Sequence, residues 1–335
     1  MSFLQAISLL LGLCAVTAYV NQRTIKAPPV LALMIASIFL VLIIVGLNKL
    51  SVLPLEHVNK MAEKIEFSDV VLHGVLSLLL FAGAMFVDIS SLKKWWLPIF
   101  NLATLGVLLS SIGTTLGVFI FAQLLNIDLN IFWCFLFGTM MAPTDPIAAL
   151  AIVKKAKAPQ NLEIKLVGES LFNDGTGILL FLLTLSIIKT GEITTGIVIH
   201  ELVFSPFGAA FLGLSLGFLA AKAISKIDHH PTEILITISL ATGVYGLAEI
   251  LHWSAPIATV TAGLVVGYGY KNKKTTPLKK SKQYVNVFWE CQDELLNAAL
   301  FAIMGMMLLI IDIPIKVVIL GIIAWIFVLW GRWFG

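Results

Sequence analysis

Charged residues and cysteines are scarce in this chain, and each scarcity excludes a class of protein. Only 12% of the 335 residues are charged, 59% are hydrophobic, and the mean hydropathy is +0.98. No ordinary soluble domain has this composition. The three cysteines show no CxxC or Cys/His spacing. They therefore indicate neither a disulfide framework nor a zinc site.

Long apolar runs dominate the rest of the chain. Runs of about 20 residues recur, and each is long enough to cross a bilayer core about 30 Å thick. Because the runs lack strand-like alternation, and a membrane span must satisfy its own backbone, we predict helices. The sequence thus predicts an all-α polytopic membrane protein, with one transmembrane domain over residues 1–335 and no soluble domain. The eleven predicted spans are residues 3–20, 29–47, 70–89, 97–125, 131–153, 164–188, 199–225, 233–251, 255–270, 284–311 and 314–335.

Basic residues predict the orientation of these spans. No lysine or arginine precedes the first apolar run, whereas Arg23 and Lys26 follow it. This predicts a retained helix with an external N-terminus. If successive loops are assigned alternately to the two sides of the membrane, most basic residues fall on the cytoplasmic side, above all between Lys271 and Lys282. The net charge of +3 follows from these loops and does not indicate nucleic-acid binding.

Two prolines interrupt the fifth predicted span. Pro143 and Pro146 flank Thr144 and Asp145, and each proline lacks an N–H and clashes with a carbonyl one turn earlier. The helix should therefore open near Ala142, and its freed carbonyls need a cavity or a cation. Broken helices near the middle of the membrane are typical ion sites of secondary transporters. A simple proline kink with a solvated Asp is the alternative.

The next span carries a polar stripe. Ser170 and Asp174 are one helical turn apart, and Glu169 and Asn173 repeat that spacing one residue earlier. Structural hydrogen bonding can account for Ser170 and Asn173. Two buried carboxylates, however, need protons, cations or basic partners. A charged group near the bilayer centre costs about 2.5–3.5 kcal/mol, which favours a functional role.

Competition between a proton and a cation at Asp174 would make such a site an exchanger. Desolvation favours the protonated form of a carboxyl group, whereas a bound cation favours the ionised form and expels the proton. If only loaded forms cross between inward- and outward-facing states, competition becomes exchange. An intramembrane aspartyl hydrolase using Asp145 and Asp174 is a less favoured alternative, since its Gly-x-Gly-Asp pattern is absent. A channel or a nonconducting scaffold is a third.

Several segments resemble the monovalent cation:proton antiporter-1 family, the NhaP-type sodium/proton exchangers. They occur in the family's order along most of the chain. The matching segments are Pro143-Thr144-Asp145-Pro146, Gly168-Glu169-Ser170-Leu171-Phe172-Asn173-Asp174-Gly175, Phe288-Trp289-Glu290 with Asp293-Glu294 and Leu296-Asn297, and the pair Gly331-Arg332.

The resemblance implies an inverted-repeat antiporter fold of the NhaA/NhaP kind, in a homodimer that works by elevator-like alternating access. It implies a secondary transporter, without enzymatic activity or a cofactor, that exchanges Na⁺ or Li⁺ for H⁺ in sodium and pH homeostasis. The Asn-Asp pair suggests one proton per sodium ion; K⁺/H⁺ exchange on the same scaffold is the alternative. The implied cation ligands are Asp174, Asp145, Ser170 and the carbonyl of Thr144, supported by Glu169 and Asn173, with Arg332 as the ionic partner of Glu169.

The chain departs from the family near its end. Family members usually have twelve or thirteen spans, with a second broken helix, whereas this sequence stops at its eleventh predicted span. We therefore expect that the family's C-terminal helices are missing and that the chain is a truncated product, which leaves a non-transporting chain as a further alternative.

Overall fold

The computed structural model describes residues 15–24, 74–144, 159–191, 194–272, 278–307 and 314–334, and the single positions 12, 32, 35, 36 and 153. Regular structure in these residues is helical, with no strand among them. Residues 15–23 are helical. The labelled helices are α1 (Leu76–Phe86), α2 (Ile89–Lys94), α3 (Trp96–Leu124), α4 (Ile131–Met141), α5 (Gln160–Thr190), α6 (Thr195–Ile224), α7 (His230–Ile250), α8 (Ala255–Asn272), α9 (Leu278–Met307) and α10 (Ile315–Phe334).

Local chemistry explains several helix ends. Asn130 precedes α4, and its side-chain oxygen accepts a hydrogen bond from the backbone N–H of Phe132 at 2.9 Å, as expected of an N-cap. Proline occupies the first turn of α7, where its missing N–H has no cost. Gly191 ends α5 in the left-handed region, with a φ of 73°. Glycine adopts this conformation without steric penalty.

Five helices are long and apolar enough to cross a membrane: Trp96–Leu124, Asn161–Thr190, Thr195–Ile224, His230–Ile250 and Ile315–Trp333. Each coincides with a predicted span, so the helical membrane-protein prediction is confirmed. Helices α1 and α4, and Ala255–Tyr270 of α8, are shorter apolar helices. Most of the predicted spans 3–20 and 29–47 lies outside the described residues.

The chain divides into two compact units. One unit comprises Met1–Leu79 and Gln283–Ile313, and the other comprises Leu80–Lys282 and Pro314–Gly335. Within the second unit, α3 packs against α4 and α10, α4 packs against α5, and α6 packs against α7 and α8. The single-domain assignment of residues 1–335 stays a prediction. The contacts reported below lie within the second unit.

Candidate functional site

The predicted helix break is present. Helix α4 ends at Met141, Ala142 caps it, and Pro143 and Thr144 are not helical. The last turn closes with a 3.0 Å hydrogen bond from the Ala142 N–H to the Gly138 carbonyl. The span predicted over residues 131–153 therefore opens where its prolines require. Asp145 and Pro146, which follow, lie outside the described residues.

Arg332, in the last turn of α10, reaches this break. Its Nη1 donates to the Ala142 carbonyl at 2.5 Å, and its Nη2 donates to Thr144 Oγ1 at 2.6 Å. The same Nη2 lies 2.9 Å from Oε1 of Glu169 and forms an ion pair with it. The freed carbonyl, for which the sequence predicted a cavity or a cation, thus meets a guanidinium. A planar fork of donors suits several acceptors at once.

Helix α5 supplies the opposite side of the network. The Asn173 amide donates to Glu169 Oε1 at 3.1 Å and to Thr144 Oγ1 at 3.2 Å. The Thr144 hydroxyl lies 3.5 Å from Glu169 Oε1, to which it donates. Glu169 and Asn173 therefore act together one turn apart, as their spacing predicted. These two residues join the broken end of α4 to α5 and, through Arg332, to α10.

One oxygen in this network has no hydrogen-bond donor among the described residues. Asn173 is fully buried, and among the described residues its Oδ1 has no hydrogen-bond partner. The orientation of the Asn173 amide agrees with this network, because Nδ2 is a donor and faces the Glu169 carboxylate, whose oxygens accept. Leaving a buried acceptor unsatisfied is unfavourable. An oxygen of this kind can bind a cation or a water molecule.

Glu169 lies beside a positive charge, the guanidinium of Arg332. The side chains of Arg332 and Glu169 are 24% and 13% exposed, so their ion pair is mostly removed from water and together they carry no net charge. Asp174 is half-buried on the next turn of α5 from buried Ser170.

The site residues predicted from the sequence fall into three groups. The structure brings Thr144, Glu169, Asn173 and Arg332 together, and Ser170 and Asp174 lie on the same helix. For Thr144 the contacts are those of its hydroxyl group, whereas the prediction concerned its carbonyl. The partner of the freed Ala142 carbonyl was missed, because Arg332 lies 190 residues away along the chain. Asp145 lies outside the described part of the chain.

A glycine allows the break to pack closely on α5. A Cβ added at Gly177 would overlap the Pro143 ring and lie 3.4 Å from the Thr139 carbonyl. At Gly175, in contrast, an added Cβ would make only an ordinary 3.6 Å contact with Ile257. Small residues let helices approach closely in membranes. Gly177 therefore has a specific part in positioning the broken end of α4.

A further buried carboxylate, Glu233, was not predicted from the sequence. Glu233 is fully buried in α7, and its Oε2 accepts a 2.7 Å hydrogen bond from the Tyr270 hydroxyl of α8. Its Oε1 has no hydrogen-bond partner within the described ranges. The predicted span began at residue 233, and a carboxylate at the end of a span has a low free-energy cost. The helix, however, begins one turn earlier, at His230. No motif marks this residue.

Comparison with known proteins identifies a family and several relatives. Residues 10–335 match the family described as "Sodium/hydrogen exchanger, transmembrane". The Na(+)/H(+) antiporter NhaP of Pseudomonas aeruginosa is 37% identical over 310 residues, which are 92% of this chain and 73% of the relative. The Na(+)/H(+) antiporter NhaH of Halobacillus aidingensis is 30% identical over 310 residues, or 91% of this chain and 73% of the relative.

A solved structure shares the fold. The sodium proton antiporter MjNhaP1 from Methanocaldococcus jannaschii superposes with a TM-score of 0.76 at 22% identity, covering 98% of this chain and 76% of that chain. This similarity confirms the fold class expected from the sequence.

Proposed function

The chain belongs to the transmembrane sodium/hydrogen exchanger family, and we propose that it exchanges Na⁺ or Li⁺ for H⁺ across the membrane. The main support for the proposal is that hydrogen bonds connect the broken end of α4 to the polar face of α5. Arg332 neutralises Glu169 and holds the Ala142 carbonyl. Asp174 follows Asn173, whose buried Oδ1 has no donor among the described residues. Cation and proton then compete at Asp174.

The exchange follows from this competition. A proton on Asp174 makes the carboxyl group neutral, and a cation replaces it by stabilising the ionised form. Ser170 and Thr144 supply further oxygens, and Asp145 is the predicted second carboxylate. Alternating access converts the competition into antiport if the empty, charged site cannot pass between the inward- and outward-facing states. Glu169 and Asn173 position the site rather than carry the exchanged proton.

The finer properties belong to the same proposal. One proton exchanges for one sodium ion, so that transport is electroneutral, and the protein serves sodium and pH homeostasis. It works as a homodimer in the inner (plasma) membrane with its N-terminus outside. The basic loops of the sequence support that orientation. Potassium in place of sodium is the alternative cargo, because ligand identity alone does not set the size of the site.

Reconstitution of the 335-residue chain in proteoliposomes tests the proposal. Proton flux is followed with a pH-sensitive dye on addition of Na⁺, Li⁺ or K⁺. Asp174→Asn is compared with wild type, and Asp128→Asn, at an exposed residue between α3 and α4, is the matched control. We expect flux driven by Na⁺ and Li⁺ in wild type and control and none in Asp174→Asn.

Each other outcome contradicts a specific part of the proposal. Flux in Asp174→Asn removes Asp174 from the exchange. Flux driven by K⁺ alone replaces sodium as the cargo. A folded wild-type chain without cation-driven flux overturns antiport by this chain.

A further inference from the structure

The residue before Arg332 lies against the backbone of α3. A Cβ added at Gly331 would come within 2.8 Å of the Ser110 carbonyl oxygen and 3.2 Å of Thr114 Oγ1. From the other side, a Cβ added at Gly113 would lie 3.3 Å from the Gly331 Cα. Helices α3 and α10 thus approach backbone to backbone at this point, and rotation of a side chain cannot relieve the contact with Ser110.

The hydroxyl groups of Ser110 and Thr114 form no hydrogen bond across this contact among the described residues. Ser110 Oγ and Thr114 Oγ1 are buried, and neither has a hydrogen-bond partner within the described part of the chain. Their neighbours Ser111 and Thr115 instead donate to carbonyls one turn earlier in α3, at 2.8 Å and 2.6 Å. The absence of a side chain at Gly331 is therefore what permits the spacing. Van der Waals packing is a principal source of helix association in membranes.

The reach of Arg332 depends on this spacing. Its guanidinium makes contacts of 2.5, 2.6 and 2.9 Å with Ala142, Thr144 and Glu169. An added methyl group at Gly331 must move from 2.8 Å to at least 3.4 Å from Ser110 to reach an ordinary contact, a displacement of about 0.6 Å if α10 moves as a rigid helix. Misplacement of about 1 Å can lower an enzymatic rate on the order of 100-fold.

We infer that Gly331 is a positioning residue for the cation site. By admitting the backbone of α3, it fixes the point from which Arg332 reaches the broken end of α4 and Glu169. Its effect on transport rests on the proposed function, whereas its effect on the Arg332–Glu169 pair does not.

Variants of two glycines in one helix test the inference. Gly331→Ala is compared with Gly321→Ala, since a Cβ at Gly321 meets nothing within 4 Å. We expect the kcat/KM for Na⁺-driven proton flux to fall about 10- to 100-fold in Gly331→Ala, with little change in Gly321→Ala. Gly113→Ala, which makes the milder contact, should lie between them and replaces Gly331→Ala if that variant does not fold.

A second readout does not depend on transport. The melting temperatures of wild type, Arg332→Ala, Glu169→Gln and the double variant give the coupling between the two side chains. We expect this coupling in wild type and in the Gly321→Ala background, and its loss in the Gly331→Ala background. A merely local packing defect would lower all four melting temperatures equally and leave the coupling intact.

The two readouts separate the two proposals. Loss of coupling in a chain without cation-driven flux contradicts antiport and supports the positioning role. Retained coupling, or flux in Gly331→Ala equal to that in Gly321→Ala, overturns the positioning role and leaves antiport standing.

Discussion

Arg332 and Glu169 each stabilise a group that would otherwise be isolated in the membrane. The guanidinium compensates the carboxylate at 2.9 Å and also satisfies the Ala142 carbonyl released by the helix break. Replacing both partners of a buried ion pair can leave stability nearly unchanged, but removing one partner leaves an uncompensated buried charge. The arrangement therefore explains how a glutamate can be accommodated within a membrane-spanning helix.

The Arg332–Glu169 pair gives the first prediction at the residue scale. Arg332→Ala should lower the free energy of unfolding by about 3–5 kcal/mol, because it strands the Glu169 charge. Glu169→Gln in that background should recover part of the loss. Unfolding measured in detergent micelles checks this, with Lys94→Ala, at an exposed lysine, as the control. A double variant no more stable than Arg332→Ala would contradict the pairing.

The Tyr270 hydroxyl gives a second prediction. It is the donor shown for Glu233 Oε2, at 2.7 Å, and Tyr270→Phe removes it while keeping the ring. We expect a loss of about 1–3 kcal/mol of unfolding free energy, the cost of leaving a buried acceptor unsatisfied. The matched control is Tyr268→Phe, because Tyr268 is 49% exposed. Equal melting temperatures for the two variants would mean that this hydrogen bond has no net stabilising effect.

The helical elements show what the sequence could and could not predict. The break after α4 follows from two prolines, whose effect is local, and the pairing of Glu169 with Asn173 follows from helical spacing. The contact between Arg332 and Ala142 depends on packing between α10 and the end of α4, which no local pattern encodes. The burial of Glu233 was missed because it depends on where α7 begins and on its packing against α8.

Packing of α5 against the break gives a third prediction. Gly177→Ala places a methyl group into the Pro143 ring, and such overpacking costs about 1–3 kcal/mol. We expect a lower melting temperature and weaker Na⁺-driven flux, since the broken end carries Thr144. Gly175→Ala makes only an ordinary contact and should leave the melting temperature unchanged or slightly raised, because alanine favours helix. A Gly177→Ala protein as stable as Gly175→Ala would show that the break tolerates displacement.

The molecule as a whole presents apolar side chains where a soluble protein would present polar ones. Phe207, Phe211 and Trp325 are 73%, 69% and 65% exposed, and they lie on helices long enough to span a bilayer. Exposed apolar surface of this kind indicates a nonaqueous neighbour. The membrane assignment thus follows from surface composition as well as from helix length. The orientation in the membrane is inferred separately, from the charges of the loops.

Orientation is the fourth prediction. In a chain whose native cysteines are replaced, a cysteine at Lys189, which is exposed at the end of α5, should react with an impermeant thiol reagent in intact cells. A cysteine at Lys274, in the basic segment of the sequence, should react only after permeabilisation. The opposite pattern would invert the proposed topology while leaving the helix assignments in place.

Charge balance over the whole transport cycle gives the fifth prediction. The Arg332–Glu169 pair is neutral and Asn173 is uncharged, so neither changes the net charge of the proposed cycle, in which a cation replaces a proton at Asp174. One sodium ion exchanged for one proton then moves no net charge across the membrane. Imposing a K⁺ diffusion potential with valinomycin should leave the initial rate of Na⁺-driven proton flux unchanged in proteoliposomes. A rate that rises with one polarity and falls with the other would require unequal charges in the two directions, and a second titrating group would then have to join Asp174 in the exchange.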